Sequence, residues 1–410
     1  MTALPPLDAA VVTEPPSSGG HRLPSAFSSG PAIPARPRNR RPLGVLLAVI
    51  VAVAAAGTGF AVTQLTANQG YDEAAARVTD AARSVTNHQS ELRHRTTELI
   101  AATDAGHVII DTGTAGISVG ADVWDALDAA VADGEGIGAE AEEVLAAERP
   151  QPDAKPAWFW ELFPATARLE EDQSLLEEIE QRTTTASVQA SDGLGAVRES
   201  GVAVISATGQ AAGAFEKAHP STRNAAVIAL RDAAADALAV TEIDDAAATT
   251  YAALQTAAVQ VISAENAELA EKAGPLRGAR LEIEAFARSL APGVLLEFDW
   301  APVVNGAGYN GSMGGYTTWW WDTPGRAVIE LSDSVAEQWP AERSKALVAH
   351  EVGHAISVKC QDMYDSSTQD SIEKWATAWA ISMGFTDDAN GVWAYGYPPQ
   401  NYIDAAAGCR

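Results

Sequence analysis

"LVAHEVGHAISVKC", residues 347–360, sets His350 and His354 four positions apart, with Glu351 beside the first. In a helix, side chains four apart project from one face, so two imidazoles can reach one metal ion. Glu351 can then approach a water on that ion without being a ligand itself. Zinc lowers the pKa of such a water toward neutrality, and a carboxylate takes its proton as the water attacks a peptide carbonyl. The other face carries Leu347, Val348, Val352 and Ala355, which would pack the helix into a domain. Gly353 leaves room for another backbone to approach closely. The stretch predicts a helix from about Pro340 to Val358.

A catalytic zinc needs a third protein ligand and a fourth position open to water. No histidine follows His354, and a longer motif of the form H-E-x-x-H-x-x-G-x-x-H would need glycine and histidine where Ser357 and Cys360 stand. The acids downstream are Asp362, Asp365, Asp370, Glu373, Asp387, Asp388 and Asp404. Only Glu373 lies well inside a second expected helix, about Ser367 to Met383, with 18 residues between it and His354. Ser367, with Asp370 three residues on, suits the N-cap of that helix. Running antiparallel to the first helix, it could aim the carboxylate at the metal.

HEVGH followed by Glu373 in "EKWATAWA" resembles the gluzincin class of zinc metallopeptidases, in a minimal form without the usual large helical subdomain. It is similar in particular to short metallopeptidases with a C-terminal zincin-like unit in bacterial membrane proteins. The resemblance covers about residues 292–410, with its informative core at 347–380. It implies His350, His354 and Glu373 as ligands of Zn2+ and Glu351 as the general base. It also implies an edge strand that pairs with the substrate backbone, for which "RAVIEL", 326–331, is the candidate. Many members carry an aspartate four residues after the glutamate ligand, where this chain has Thr377. Such a partner fixes the tautomer of a ligand histidine, and a threonine hydroxyl would serve more weakly. Tyr395, Tyr397 and Tyr402 are candidate donors to a tetrahedral oxyanion.

The two cysteines, Cys360 and Cys409, have two readings. As zinc ligands they would close the site and make it structural. As a disulfide they would tie the C-terminal tail to the end of the active-site helix, worth about 3–4 kcal/mol on the entropic model. Export from the cytoplasm favours the disulfide. The remaining histidines, His21, His88, His94, His107 and His219, are scattered and carry no assigned role.

Outward from this region, "VLLEFDW" and "RAVIELS" read as short strands around a glycine-rich loop, "VVNGAGYNGSMGGYTT". With the two helices they make an α+β unit of about 120 residues. From about Gln69 to Ala291 the chain is rich in Ala, Glu, Asp, Gln and Leu, with apolar residues three and four apart. This predicts five to seven helices in an elongated bundle or stalk, broken at "DGEGIG", "ERPQPDAKP", "AHPSTR" and "KAGPLRG". Pro220 and Pro275 suit first turns. No strict heptad runs far enough for a coiled coil. The cluster "WFWELF", 158–163, reads as a hydrophobic plug between helices, with a membrane or partner contact as the other reading.

Residues 43–65, "LGVLLAVIVAVAAAGTGFAVTQL", carry no charge and are long enough to span about 30 Å of hydrocarbon. Arg36, Arg38, Arg40 and Arg41 precede them, and the first charges after them are Asp72 and Glu73. The positive-inside rule keeps the N-terminus cytoplasmic and exports the rest. A cleaved signal peptide is the competing reading, but its charged leader is usually far shorter than 42 residues. Residues 1–42, rich in Pro, Ser and Gly, read as a disordered tail. The charge of -27, from 54 acidic against 27 basic residues, argues against nucleic acid as a partner.

The expected fold is mainly α: a disordered tail (1–42), one transmembrane helix (43–65), a helical stalk (66–291) and a small α+β zincin-like domain (292–410). The expected function is a membrane-anchored, extracytoplasmic zinc peptidase acting on peptide or protein substrates. The alternative is a non-catalytic envelope scaffold with a degenerate zincin domain. Self-association through the stalk is left open.

Overall fold

Helix α8, Glu342–Ser357, is the helix that the opening stretch predicts. Every residue from Ala346 to Ser357 on it is buried, so it packs on all sides. The computed structural model describes the backbone over residues 42–410 and the side chains at 48, 49 and 57–410. It divides the chain into two units, Met1–Ala67 and Asn68–Arg410.

In the first unit, the expected disordered tail lies outside the described residues up to 41. Helix α1, Pro42–Thr112, starts there, so the apolar run 43–65 is helical. Phe60, Val62 and Leu65 on it are exposed. Among the described residues no helix is long and apolar enough to cross a membrane. The side chains at 43–47 and 50–56 lie outside the described residues, and most of the expected span lies there with them.

The second unit is mainly helical with one small mixed sheet. Its helical part continues α1 and adds α2 (Ala121–Leu145), α3 (Phe159–Ala218), α4 (Asn224–Leu238), α5 (Asp245–Glu271) and α6 (Arg277–Leu290). The break expected at "DGEGIG" is absent, because α2 runs through it. Gly134 there is buried, and a Cβ would stand 2.7 Å from Thr103 Cγ2. Gly134 thus serves close helix packing rather than a turn. Pro220 and Pro275 fall in the connections ahead of α4 and α6, not in their first turns. A core of Leu92, Leu99, Leu127, Val131, Leu194, Val204, Leu230 and Tyr251 holds α1 to α5 together. Of the aromatic cluster only Leu162 is fully buried, while Trp158, Trp160 and Phe163 stand about half exposed. The plug reading therefore fits the leucine and not the tryptophans.

A second core forms around α8 and includes Ile283 and Ala287 of α6, so it reaches back before the expected boundary at 292. Its sheet has strand order β1-β3-β2, with β1 (Leu295–Ala301) parallel and β2 (Gly315–Trp319) antiparallel to β3 (Arg326–Ser332). The strands expected at "VLLEFDW" and "RAVIELS" are β1 and β3. Because β3 lies between the other two, "RAVIEL" cannot be the edge strand; β2 is the edge that borders α8. A turn, α7 (Asp333–Glu337), leads from β3 to α8.

After α8 a 3-10 turn, Val358–Met363, reverses the chain into α9, Gln369–Ser382. Thr368, rather than Ser367, caps α9 by accepting from the Ser371 N–H. A Cβ at Gly353 would lie 2.8 Å from the Ala376 carbonyl oxygen, so glycine is what lets α9 approach α8. Short helices α10 (Val392–Tyr395) and α11 (Gln400–Ala406) complete the fold. Cys360 and Cys409 form a disulfide, 49 residues apart in sequence with their Cα atoms 6.0 Å apart.

A candidate metal centre

The close α8–α9 pair brings His350, His354 and Glu373 together, with all their ligand atoms within 4.8 Å of one another. Glu373 Oε2 lies 3.2 Å from both His350 Nε2 and His354 Nε2. The two Nε2 atoms are themselves 3.2 Å apart. Such spacings are those of neighbouring ligands around a tetrahedral ion with bonds of about 2.0–2.2 Å.

The hydrogen bonding of His350 shows which atoms face that point. Its Nδ1–H donates to the Asn390 carbonyl oxygen at 2.9 Å. A carbonyl can only accept, so Nδ1 carries the proton, and in the neutral ring Nε2 presents a lone pair. That lone pair faces a carboxylate oxygen and a second imidazole nitrogen. With His354 in the tautomer that leaves its Nε2 unprotonated, three acceptors meet at one buried point, and a cation between them would satisfy all three. The residues present therefore fit a metal ion held by two nitrogens and one oxygen.

Burial disfavours a charged His350, but its hydrogen bond to Glu373, with the Glu351 and Glu373 carboxylates close by, raises its pKa. Burial likewise acts to raise the Glu373 pKa, and hydrogen bonds to His350 and His354 outweigh it, holding the carboxyl well below the usual range. Both shifts come from the pairing of the rings with the carboxylates, which favours positive charge at the group, a proton included.

Partners around the ligands fix their orientation. Gln369 Nε2 donates to Glu373 Oε1 at 2.7 Å, which leaves Oε2 toward the histidines. Trp319 stacks on the His354 ring at 5.3 Å, and Tyr395 on the His350 ring at 5.9 Å. His354 Nδ1 is buried with no hydrogen-bond partner. Thr377 Oγ1 lies 3.4 Å from His350 Nδ1 and donates its own proton to the Glu373 carbonyl at 2.8 Å. The acceptor expected of Thr377 is thus mainly the Asn390 backbone. Gly391, at φ 105, makes this possible, since a Cβ there would stand 2.6 Å from His350 Nδ1.

Glu351 lies against the edge strand. Thr317 Oγ1 donates to its Oε2 at 2.7 Å, and a Cβ at Gly315 would stand 2.3 Å from its Oε1. A cleft of about 100 Å³ opens here, lined by Glu351, the three ligand residues, Asn305, Trp319, Gln369 and Tyr395 among others. A larger groove of about 720 Å³, along residues 146–151, holds no such group of ligand atoms among the described residues.

The structure thus brings together His350, Glu351, His354 and Glu373 and, of the three tyrosines expected as donors, places Tyr395 in the cleft lining. Tyr395 is 43% exposed, and the desolvation of its hydroxyl with the Glu373 and Glu351 charges nearby pushes its pKa up to about 12. Tyr397 is 69% exposed, and the Tyr402 hydroxyl pairs with Ser371 at 2.9 Å; neither lines the cleft. Cys360 and Cys409 are outside the ligand group, taken up by their disulfide. Thr317, Trp319, Gln369, Asn390 and Gly391 were not found by sequence reasoning. The Asn390-Gly391 dipeptide is a turn signal, yet nothing in the sequence says that its carbonyl meets a histidine.

This chain matches no family model, no curated protein and no solved structure.

Proposed function

We propose that the C-terminal part of this protein is a zinc metallopeptidase, held outside the cytoplasm by a membrane-spanning run at 43–65. The observation that carries the catalytic reading is the grouping of His350, His354 and Glu373 with the Glu351 carboxylate beside them in an open cleft. Two imidazoles and one carboxylate suit zinc but also serve iron(II) in oxygenases. Glu351 favours hydrolysis, where a carboxylate next to the ligands has a task. The tether rests on sequence: an uncharged run preceded by four arginines.

When bound, zinc supplies a Lewis acid that makes water nucleophilic near neutral pH. Glu351 accepts the proton of the attacking water and passes it to the leaving amine. The Thr317 hydroxyl holds that carboxylate in place through its 2.7 Å bond. Tyr395, a phenol that keeps its proton to about pH 12, donates to the oxyanion. The free edge of β2 offers backbone groups to an extended peptide.

Replacing Glu351 by Gln tests the assignment. The variant should keep its metal and lose about 10²–10⁴-fold in peptide cleavage. A wild-type protein that holds zinc yet cleaves nothing across a broad peptide library would support a non-catalytic scaffold instead.

A further inference from the structure

In the unit that begins at Asn68, α1 and α3 run parallel in a fixed register. Arg77 Nε donates to Gln173 Oε1 at 3.0 Å, and Ser84 Oγ donates to Glu180 Oε1 at 2.8 Å. Residues of α3 before Gln173 therefore flank residues of α1 before Arg77, and the first turn of α3 lies at the Asn68 end of this unit. The connection leading there is a strap rather than a turn. Arg149 Nη1 donates to Thr86 Oγ1 at 2.9 Å, the Tyr71 hydroxyl donates to the Asp153 carbonyl at 3.4 Å, and Lys155 pairs with Asp72 at 2.7 Å. Pro150, Pro152 and Pro156 favour an extended path. The strap carries the chain back along α1 from Thr86 to Tyr71 before α3 starts.

What it delivers is apolar and faces outward. Trp160 and Phe163 are 53% and 51% exposed, and Trp158 is 48% exposed with its ring stacked on Trp160 at 5.3 Å. Leu162, on the inner face, is fully buried. Five residues of chain separate Leu65, the last of the apolar run, from Tyr71, a reach of about 20 Å even when extended. A short length of chain therefore joins the unit that carries the aromatic face to the uncharged run.

We infer that Trp158, Trp160 and Phe163 form a seat for the interfacial layer of a lipid bilayer, next to the point where the chain enters it. This rests on the membrane tether proposed above. Indole rings concentrate at the bilayer–water boundary because their bodies are apolar while their N–H groups find polar partners. The chain's charge of -27 removes attraction to anionic head groups as the driving force. The seat thus takes neutral, zwitterionic lipid and holds without charge pairing, so salt does not release it.

The test uses the full-length chain in phosphatidylcholine vesicles, with and without brominated acyl chains, and reads tryptophan emission. The first tryptophan in the chain is Trp124, so residues 43–65 contribute no signal. Brominated lipid should quench part of the emission equally at low and high salt. The double variant Trp158→Phe, Trp160→Phe should lose most of that quenching. Trp393→Phe, which removes an 85% exposed tryptophan of α10, should leave it unchanged. A chain that floats with the vesicles but shows no quenching, or whose quenching survives the double variant, overturns the seat and leaves the tether standing. That result would indicate that the aromatic face meets another protein. A chain that does not float with the vesicles overturns tether and seat together.

Discussion

Gly391 lets the Asn390 carbonyl reach and orient the His350 ring. Its φ of 105 suits glycine alone, and a Cβ would press on both Thr377 Oγ1 and His350 Nδ1. Gly391→Ala should weaken metal binding about 10–100-fold, the range typical for losing an outer partner of a ligand histidine. Thr377→Val should cost far less, because Asn390 supplies the short hydrogen bond to His350 at 2.9 Å against 3.4 Å from the hydroxyl. Competition with a chromophoric chelator ranks the two; a larger loss for Thr377→Val would return the orienting role to the threonine. That His350 and His354 share one helix face was legible from their spacing, and Glu373 stood out as the acid inside the next expected helix. Their orienting partners were not, since a backbone carbonyl 40 residues from His350 leaves no mark on residue type.

At the scale of elements, the site exists because two helices touch. Gly353→Ala puts a methyl 2.8 Å from the Ala376 carbonyl oxygen and 3.0 Å from its Cα, backbone atoms that cannot swing aside. Forced separation of α8 and α9 should cost about 1–3 kcal/mol, as overpacking in a core does. Glu373 should move from the histidines with it, so thermal melts and metal titrations should fall together. Normal metal affinity in a destabilised variant would show that the helix contact does not set the ligand spacing. The sequence exposed both helices and the glycine between them, through apolar spacing and one cap. It hid β2, whose five residues, Gly315–Trp319, follow a glycine-rich loop. Only the alternation of buried Thr317 with exposed Tyr316 and Thr318 marks it as a strand. That omission put the edge at β3, which the fold places centrally.

Across the second unit, a buried ionic cluster joins the helical core to the core around the site. Lys272, 3% exposed, bridges Glu268 of α5 at 3.1 Å and Glu284 of α6 at 3.0 Å. Arg288 and the Trp300 indole also reach Glu284, while Arg223 reaches Glu268 and Glu297 of β1. Lys272→Met would leave two buried carboxylates short of their cation and should destabilise by about 3–5 kcal/mol. Denaturant unfolding monitored by circular dichroism checks it, and a loss under about 1 kcal/mol would mean that solvent reaches the cluster. Metal content of the purified full-length protein shows whether His350, His354 and Glu373 hold one zinc ion. Wild type should carry about one zinc per chain and Glu373→Ala almost none. A wild type that takes up no zinc, or a Glu373→Ala variant with the full complement, would contradict it.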